Sequence, residues 1–269
     1  SDVNCRFHME QIHSVFYQKN HAGYYFCIAT ILSSVELLKL NLKEKKNIFI
    51  LISRLIIIGI LLYGNILTNS TGSFLAIIFG GCALIFATTL FNKRLLEHSI
   101  LVFITFFVVT IISILTGKSP LIDVLQVFID FGIIIKDTRS EEALAAGTTR
   151  WRLWLHAIDF IKEKPLFGFG PDNLDEPYLA VGLIDSRPHN EFLQHGAALG
   201  IPAGLFYLIS IITFTATYFK KKIGTPLVIG LVCTVGAYIC SSLFGNTMFY
   251  TAPFFFMIYG MATSVLKKA

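Results

Sequence analysis

The chain has 269 residues, of which 54% are apolar and only 14% are charged, and its mean hydropathy is +0.67. A soluble domain carries closer to a quarter charged residues, so the composition excludes an ordinary soluble protein. Apolar runs of about twenty residues recur, and in a bilayer only helices or closed barrels satisfy every backbone group. The runs are continuous rather than alternating, so we predict an all-α polytopic membrane protein.

The net charge of +5 does not indicate nucleic acid, because the Lys and Arg residues lie in short clusters at the ends of apolar runs. Four of the five cysteines fall inside those runs, where Cys behaves as a small hydrophobic residue: Cys27, Cys82, Cys233 and Cys240. No pair has metal-ligand spacing, so we expect neither a disulfide framework nor a zinc site.

Seven segments are predicted to span the membrane. They are 22–38, 48–67, 73–91, 99–116, 197–219, 225–244 and 252–266. The first is the weakest, since Glu36 and Lys39 lie near its end. Arg54 lies inside the second span, where a charge is a functional hypothesis, but it is close enough to the flank for its side chain to reach the interface.

The basic residues fall on every second connection. They are Lys43, Lys45 and Lys46, then Lys93 and Arg94, then Lys220 to Lys222, and finally Lys267 and Lys268. The positive-inside rule places these in the cytoplasm and makes the long loop 117–196 face outward. We therefore divide the chain into N-terminal spans (1–116), an outer loop with the active site (117–196) and C-terminal spans (197–269). Residues 1–21 would also lie outside without resembling a signal peptide, so we expect further spans upstream.

The loop begins with an apolar stretch, 120–135, in which Asp123, Gln126 and Asp130 share one helical face. This pattern predicts a helix lying in the membrane interface, with a short eighth span as the alternative.

A second helical stretch follows over about 140–164, with Ser140 at its start, Pro165 after its end and a possible break at Gly147. Its helical period gives two faces. Arg150, Leu153, Trp154, Ala157 and Ile161 lie on the packing side, and Arg152, His156, Asp159 and Glu163 on the other. An Arg on a packing face requires an anionic partner, either a loop carboxylate or a bound anion. We expect Arg152 to be a surface residue.

Two further patterns precede the fifth span. Gly168-Phe169-Gly170 is a weak phosphate signal, and a tight turn explains it better. Arg187-Pro188-His189-Asn190 places a His near a membrane mouth, where it could be a general base or only a hydrogen-bonding residue. His195 is a weaker catalytic candidate.

The order of these residues resembles a known family. Arg150-x-x-x-Trp154, Pro165-x-x-Gly168-x-Gly170, the stretch from His189 to Gln194 and Gly200-x-x-x-Gly204 are similar to the bacterial O-antigen ligase and O-antigen polymerase superfamily. Phe16-x-x-x-Asn20 and the stretch Asn69 to Ser73 resemble flanking family motifs. The pattern covers about 150–204 and does not separate ligase from polymerase.

The resemblance implies transfer of a glycan from undecaprenyl pyrophosphate to an acceptor hydroxyl at the outer face of the bacterial cytoplasmic membrane. The acceptor would be a sugar of the lipid A core in a ligase, or the growing lipid-linked glycan in a polymerase. The fold would resemble the membrane glycosyltransferases, with membrane lipids as neighbours. The family is taken to work without a metal, and we expect no cofactor.

The resemblance also implies roles for individual residues. Arg150 would bind the pyrophosphate, because a guanidinium matches its charge and geometry, and Arg187 could share the phosphate. His189 would take the proton from the acceptor hydroxyl in an inverting displacement. Trp154, Gly168, Gly170 and Asn190 would support the site.

Two positions depart from the family pattern. Thr71 stands where many members have Arg, so a second pyrophosphate-binding cation would be absent or supplied elsewhere. Ala198 stands two residues before Gly200, where an acidic residue is common, so the function of that acid would be lost or moved.

Two hypotheses from other classes compete with the transferase. A transporter of lipid-linked sugars would show internal repeats and charges near the membrane midplane, and no convincing repeat is present. A membrane scaffold without chemistry predicts that Arg150 and His189 can be replaced without loss of activity.

Overall fold

The computed structural model describes residues 18–118, 120–184, 187–245 and 251–268. Every regular element in these ranges is helical, which confirms the all-α class. Seven helices occupy the segments predicted as spans: α1 (Lys19–Leu38), α2 (Ile48–Leu67), α3 (Thr71–Phe91), α4 (Leu96–Leu115), α10 (Ile201–Lys221), α11 (Pro226–Ser242) and α12 (Ala252–Lys268). Five helices lie between α4 and α10: α5 (Pro120–Lys136), α6 (Glu141–Ala145), α7 (Arg150–Glu163), α8 (Asp175–Ala180) and α9 (Glu191–Leu199).

Four of the described helices are long and apolar enough to cross a membrane. Two of them are α3 and α10. The other two are α2 and α4, each counted together with the short 3₁₀ turn that precedes it. Helix α11 is apolar but has only 17 residues. These helices indicate a membrane protein, whereas the number of seven spans stays a prediction.

The bundle has two ends, which we name by their residues. Helices α1 and α3 begin and α11 ends at the loop end, where α5 to α9 lie. The basic end carries the lysines of 43–46, 93–94 and 220–222. Hydrogen bonds close the basic end, because the Asn92 amide donates to the Gly224 carbonyl at 2.7 Å and Lys221 donates to the Leu266 carbonyl at 2.6 Å.

Helix α11 is the centre of the bundle and packs against α1, α3 and α12. Glycines allow the close approach: a Cβ on Gly230 would lie 2.1 Å from the Val35 side chain, and one on Gly80 would lie 2.8 Å from that of Ile31. Small residues serve helix packing in membranes, where van der Waals contact rather than the hydrophobic effect drives association. On the α12 side the rings of Tyr238 and Phe255 stack at 4.0 Å.

Arg54 pairs with the end of α1 at the basic end of the bundle. Its guanidinium donates to the Glu36 carbonyl and lies 3.5 Å from the Glu36 carboxylate. The interaction confirms that this charge reaches the flank of the bundle, and it accounts for the polar residue at the end of the weakest predicted span.

Helix α5 brings Gln126 and Asp130 onto one face, as the sequence predicted, and Gln126 donates to Asp130 across one turn at 2.7 Å. Its apolar side chains are largely exposed, among them Phe128 at 64% and Ile135 at 80%. Such a helix suits a membrane interface. Its depth in a membrane stays a prediction.

The second loop helix is split at Gly147, as the sequence allowed. Ser140 caps α6 by accepting the Ala143 N–H at 3.1 Å, and α7 begins at Arg150. Leu153 and Ala157 are buried while Arg152 is exposed, which confirms the two predicted faces.

The fifth predicted span begins later than residue 197. Gly200, with φ of 91°, separates α9 from α10. A Cβ at this position would lie 2.3 Å from the Leu166 carbonyl oxygen, so the break forms because the loop crosses the chain here.

Candidate functional site

Polar side chains join four helices at the loop end. The Asn65 amide donates to the Gly23 carbonyl at 2.8 Å and to the Ser73 hydroxyl at 2.9 Å, while the Tyr24 hydroxyl donates to the Ser241 carbonyl at 2.6 Å. Ser70 donates to Asn20 at 3.0 Å, which brings the two flanking motifs into contact. Phe16 of the first motif lies outside the described residues. This network fixes the surface on which the loop rests.

Arg150 follows three residues with left-handed backbone: Gly147 (φ 62°), Thr148 (φ 56°) and Thr149 (φ 68°). Positive φ is strained for β-branched residues and is found where the surroundings impose it. Here the Asp130 carboxylate of α5 accepts the Gly147 N–H at 2.7 Å. Helix α5 therefore holds the turn that sets the start of α7 and the position of Arg150.

Arg150 lines a recess of about 50 Å³ between α5, α7 and the end of α11. Apart from Arg150 and Asp130 its walls are mainly apolar, and they include Trp154 and Phe244. The Trp151 indole donates to the Thr138 carbonyl at 2.9 Å, whereas the Trp154 indole N–H has no hydrogen-bond acceptor among the described residues. Arg150 and Trp154 line the same recess, and a guanidinium and an indole N–H are both donors that an anionic oxygen can accept from.

Arg187 lies at the same end of the molecule. Its guanidinium pairs with Asp172 at 2.5 Å, on the partly exposed side of the loop. Burial and, secondarily, the positive charge of Arg187 lower the pKa of His21.

His189 and Asn190 lead into α9. His189 is half-buried and has a left-handed backbone with φ of 52°. The buried Asn190 caps α9 by accepting the Leu193 N–H at 3.1 Å, and its amide donates to the Leu243 carbonyl at 3.2 Å. Asn190 thus ties the His189 segment to the end of α11, next to Phe244 of the Arg150 recess.

The turn with two glycines is structural. The N–H groups of Gly168, Phe169 and Gly170 donate to the carbonyls of Lys164, Ala197 and Ala198 at 3.0, 2.9 and 2.8 Å. These three donors are occupied, so the turn does not offer them to a phosphate. It supports the site in another way, by fixing the loop after α7 to the end of α9.

The two departures from the family pattern lie in different surroundings. Thr71 lines a small recess at the loop end together with Asn65, Asp123 and Lys118, so a cation is present near the position where Arg is common. Ala198 is buried, and its carbonyl accepts the Gly170 N–H.

Glu191 is a residue whose importance the sequence interpretation missed. It is fully buried, accepts a hydrogen bond from the Tyr207 hydroxyl at 3.2 Å and lies 3.9 Å from His195 Nε2. Burial lowers the pKa of His195, which favours its neutral form, and its ring packs 4.7 Å from that of Tyr207. Glu191 stands inside the recognised stretch from His189 to Gln194, but only the packing of α9 on α10 shows its burial.

Asp130 was likewise expected only as part of a polar face. Its contact with Gly147 joins residues 17 positions apart and has no signal in the local sequence. Among the described residues, no three His, Cys, Asp or Glu side chains lie together as metal ligands would.

Comparison with known families matches this part of the chain. A family profile described as O-antigen ligase matches residues 55–208, which is more than half of the sequence. The match begins inside α2 and ends in α10, so it includes the whole loop with Arg150, Arg187 and His189. A search of curated proteins gave no match.

Proposed function

Since the chain belongs to the O-antigen ligase family, we propose that it transfers a glycan from undecaprenyl pyrophosphate to a sugar hydroxyl of the lipid A core. Family membership supports glycosyl transfer and a lipid-linked glycan substrate in general. The observation that supports the finer proposal is the recess lined by both Arg150 and Trp154, whose indole N–H has no acceptor among the described residues, at the same end as His189.

The proposed reaction is a single inverting displacement without a metal. His189 takes the proton of the acceptor hydroxyl, whose oxygen forms a bond to the anomeric carbon of the donor. The bond from that carbon to the pyrophosphate oxygen breaks, and its electron pair stays on the undecaprenyl pyrophosphate. Arg150 stabilises this charge as it develops, so its contact strengthens in the transition state.

Arg187 and Lys118 are the proposed additional cations. Arg187 would bind the pyrophosphate either in place of its present partner Asp172 or together with it. Lys118 would supply the charge that Arg gives other members at the position of Thr71, because both residues line one recess. Asn190, Gly168 and Gly170 would position the loop, and Trp154 would donate to a phosphate oxygen.

The proposed topology has seven spans in the bacterial cytoplasmic membrane. Residues 1–116 and 197–269 form the membrane parts, and 117–196 form an outward loop with the active site. The alternating basic connections support this orientation through the positive-inside rule.

The test uses the purified protein in lipid nanodiscs, with an undecaprenyl-pyrophosphate-linked glycan and lipid A core as substrates. We expect a gel shift of the core acceptor, lost by at least about a hundredfold in His189→Ala and Arg150→Ala. Arg152→Ala is the matched control, because Arg152 lies on the exposed face of the same helix.

Other outcomes assign other functions. Lengthening of the lipid-linked chain without transfer to the core would identify a polymerase. Movement of the intact lipid-linked glycan across the bilayer without a new bond would indicate a transporter. Unchanged transfer in both variants would show that the site is misassigned, and no activity with either acceptor would favour a scaffold.

A further inference from the structure

An open recess of about 370 Å³ lies at the basic end of the bundle, formed by the connection between α1 and α2 and by the start of α2. This volume is in the range of small-molecule sites. One part of the lining is apolar, with Leu40, Leu42, Ile48 and Leu51, and the other part includes Lys43 and Lys45. The recess therefore suits a ligand that has both an anionic part and an apolar part.

The carboxylate that lines the recess, Glu44, is already occupied. One of its oxygens lies 3.0 Å from the Lys46 ammonium, and the other accepts a hydrogen bond from the Asn41 amide at 2.9 Å. Lys43 and Lys45 are exposed and form no ion pair with any residue that the structure describes. These two lysines therefore give the recess a net positive charge.

The start of α2 adds to the preference for an anion. Neither this helix nor the 3₁₀ turn before it has an acidic residue in its first turn, and neither begins with a side-chain cap. The N–H groups of a first helical turn carry a partial positive charge, which stabilises a nearby anion. The helix start and the two lysines thus act in the same direction.

The connection is held in one shape by Asn41. Its side-chain oxygen accepts the Lys43 N–H at 3.2 Å, and its carbonyl accepts a hydrogen bond from the Asn47 amide at 2.9 Å. A ring nitrogen of His98 lies 2.7 Å from the Leu40 carbonyl, which ties the connection to α4. A ligand therefore meets a formed recess and pays little to order it.

The position of the recess favours a lipid over a free anion. Helix α2 with its 3₁₀ turn is a candidate membrane span that begins at Lys45, so the recess lies where this span meets the membrane surface. Ile48 is 48% exposed and Phe49 is 79% exposed. A free anion would contact only the lysines, whereas a phospholipid would also cover the apolar side chains at the start of α2.

We propose that this recess binds the headgroup phosphate of an anionic phospholipid, whose acyl chains lie along Ile48 and Phe49. Basic pockets beside membrane helices are known to take such headgroups. The inference is independent of the proposed function, because it requires only that α2 crosses a membrane. A bound lipid would hold the connection between α1 and α2 at the membrane surface.

The test measures lipid binding by native mass spectrometry of the purified protein in detergent micelles. Phosphatidylglycerol, which is anionic, is compared with phosphatidylcholine, which carries the same phosphate without a net charge. We expect the affinity for the first bound phosphatidylglycerol to be at least about tenfold higher. An excess of inorganic phosphate should not displace it, because inorganic phosphate lacks the acyl chains.

Two double variants remove equal charge from exposed positions at the basic end. Lys43→Gln with Lys45→Gln changes the recess, whereas Lys267→Gln with Lys268→Gln changes the end of α12. We expect the first double variant to bind phosphatidylglycerol about thirtyfold more weakly, because each lysine contributes about 1 kcal/mol near anionic lipids. The second should bind as the unchanged protein does.

Asn41→Ala tests the shape of the recess without changing any charge. It removes the hydrogen bonds to the Glu44 carboxylate and to the Lys43 N–H, so the connection can rearrange. We expect phosphatidylglycerol to bind several times more weakly, with little change in the unfolding temperature of the lipid-free protein because Asn41 is exposed.

Four outcomes would overturn the proposal. Equal binding of phosphatidylcholine would make the recess an ordinary bilayer contact, and displacement by inorganic phosphate would make it a site for a soluble anion. Equal weakening in the two double variants would indicate diffuse surface charge. Unchanged binding in Asn41→Ala would show that the lipid does not depend on the formed recess.

Discussion

Glu191 is a carboxylate held away from water inside the loop end. Burying a charge is costly unless it is hydrogen-bonded, and Tyr207 of α10 donates to it. Glu191 precedes Ala198 by seven residues, so the two lie on one face of α9. Ala198 is not acidic, so Glu191 is the acid on this face of α9. We infer that Glu191 fixes the segment that carries His189.

Two replacements of Glu191 distinguish the effect of its hydrogen bonding from the effect of its charge. Glu191→Leu leaves the partly buried Tyr207 hydroxyl without this acceptor, which costs about 1–3 kcal/mol of stability, and we expect transfer to fall with it. Glu191→Gln retains a hydrogen-bond acceptor for Tyr207 and should keep most of the stability and most of the transfer activity. Thermal unfolding in detergent and the kcat and KM of transfer measure the effects. Glu163→Leu, at an exposed position of α7, is the control, and a Glu191→Leu variant as stable as this control would contradict the inference.

Asp130 is expected to act on Arg150 through the backbone. Asp130→Ala removes the acceptor of the Gly147 N–H and releases the left-handed turn before Arg150. A displacement of about 1 Å can cost up to a hundredfold in rate, so we expect transfer to fall by about ten- to a hundredfold. Gln126→Ala removes only the other contact of this carboxylate and should have little effect. Equal activity of the two variants would mean that Arg150 is held by other contacts.

Among the elements, those defined by local pattern were predicted well. Helix α2 was placed correctly at both ends, because one continuous apolar run is bounded by lysines and by polar residues. The faces of α7 followed from helical period alone. The left-handed Thr148 and Thr149 were not foreseen, since their residue types disfavour that backbone and the contact with α5 imposes it. The same holds for the buried carboxylate of Glu191, whose partner lies on another helix.

The turn after α7 gives a prediction at the same scale. Gly168 has φ of 65°, and a Cβ there would lie 2.4 Å from the Ala198 backbone. Gly182 has φ of 76°, and a Cβ there would meet nothing within 4 Å. Gly182→Ala therefore tests backbone strain alone, about 1–2 kcal/mol, whereas Gly168→Ala adds a backbone clash. We expect a clearly lower unfolding temperature for Gly168→Ala, and equal temperatures would show that the turn can move away from α9.

In the molecule as a whole, the candidate site and the lysine clusters lie at opposite ends of the bundle. Arg150, Arg187 and His189 lie at the loop end, while the lysine clusters lie at the basic end. A lipid-linked glycan displayed outside the cell membrane reaches these residues only if the loop end faces outward. The proposed reaction and the proposed topology therefore both require that the loop end faces outward, which the charges of the short connections favour.

Cysteine labelling in intact cells tests that orientation. After replacement of the five native cysteines by Ser, Phe167→Cys places a thiol at a loop position that is 85% exposed, and Lys93→Cys places one at the basic end. We expect a membrane-impermeant maleimide to label Phe167→Cys in intact cells and Lys93→Cys only after permeabilisation. Lys222→Cys should behave as Lys93→Cys does, because both follow spans that end at the basic end. The opposite pattern would put Arg150 and His189 in the cytoplasm, where an acceptor on the outer surface cannot reach them. That result would contradict both the proposed topology and the proposed transfer reaction.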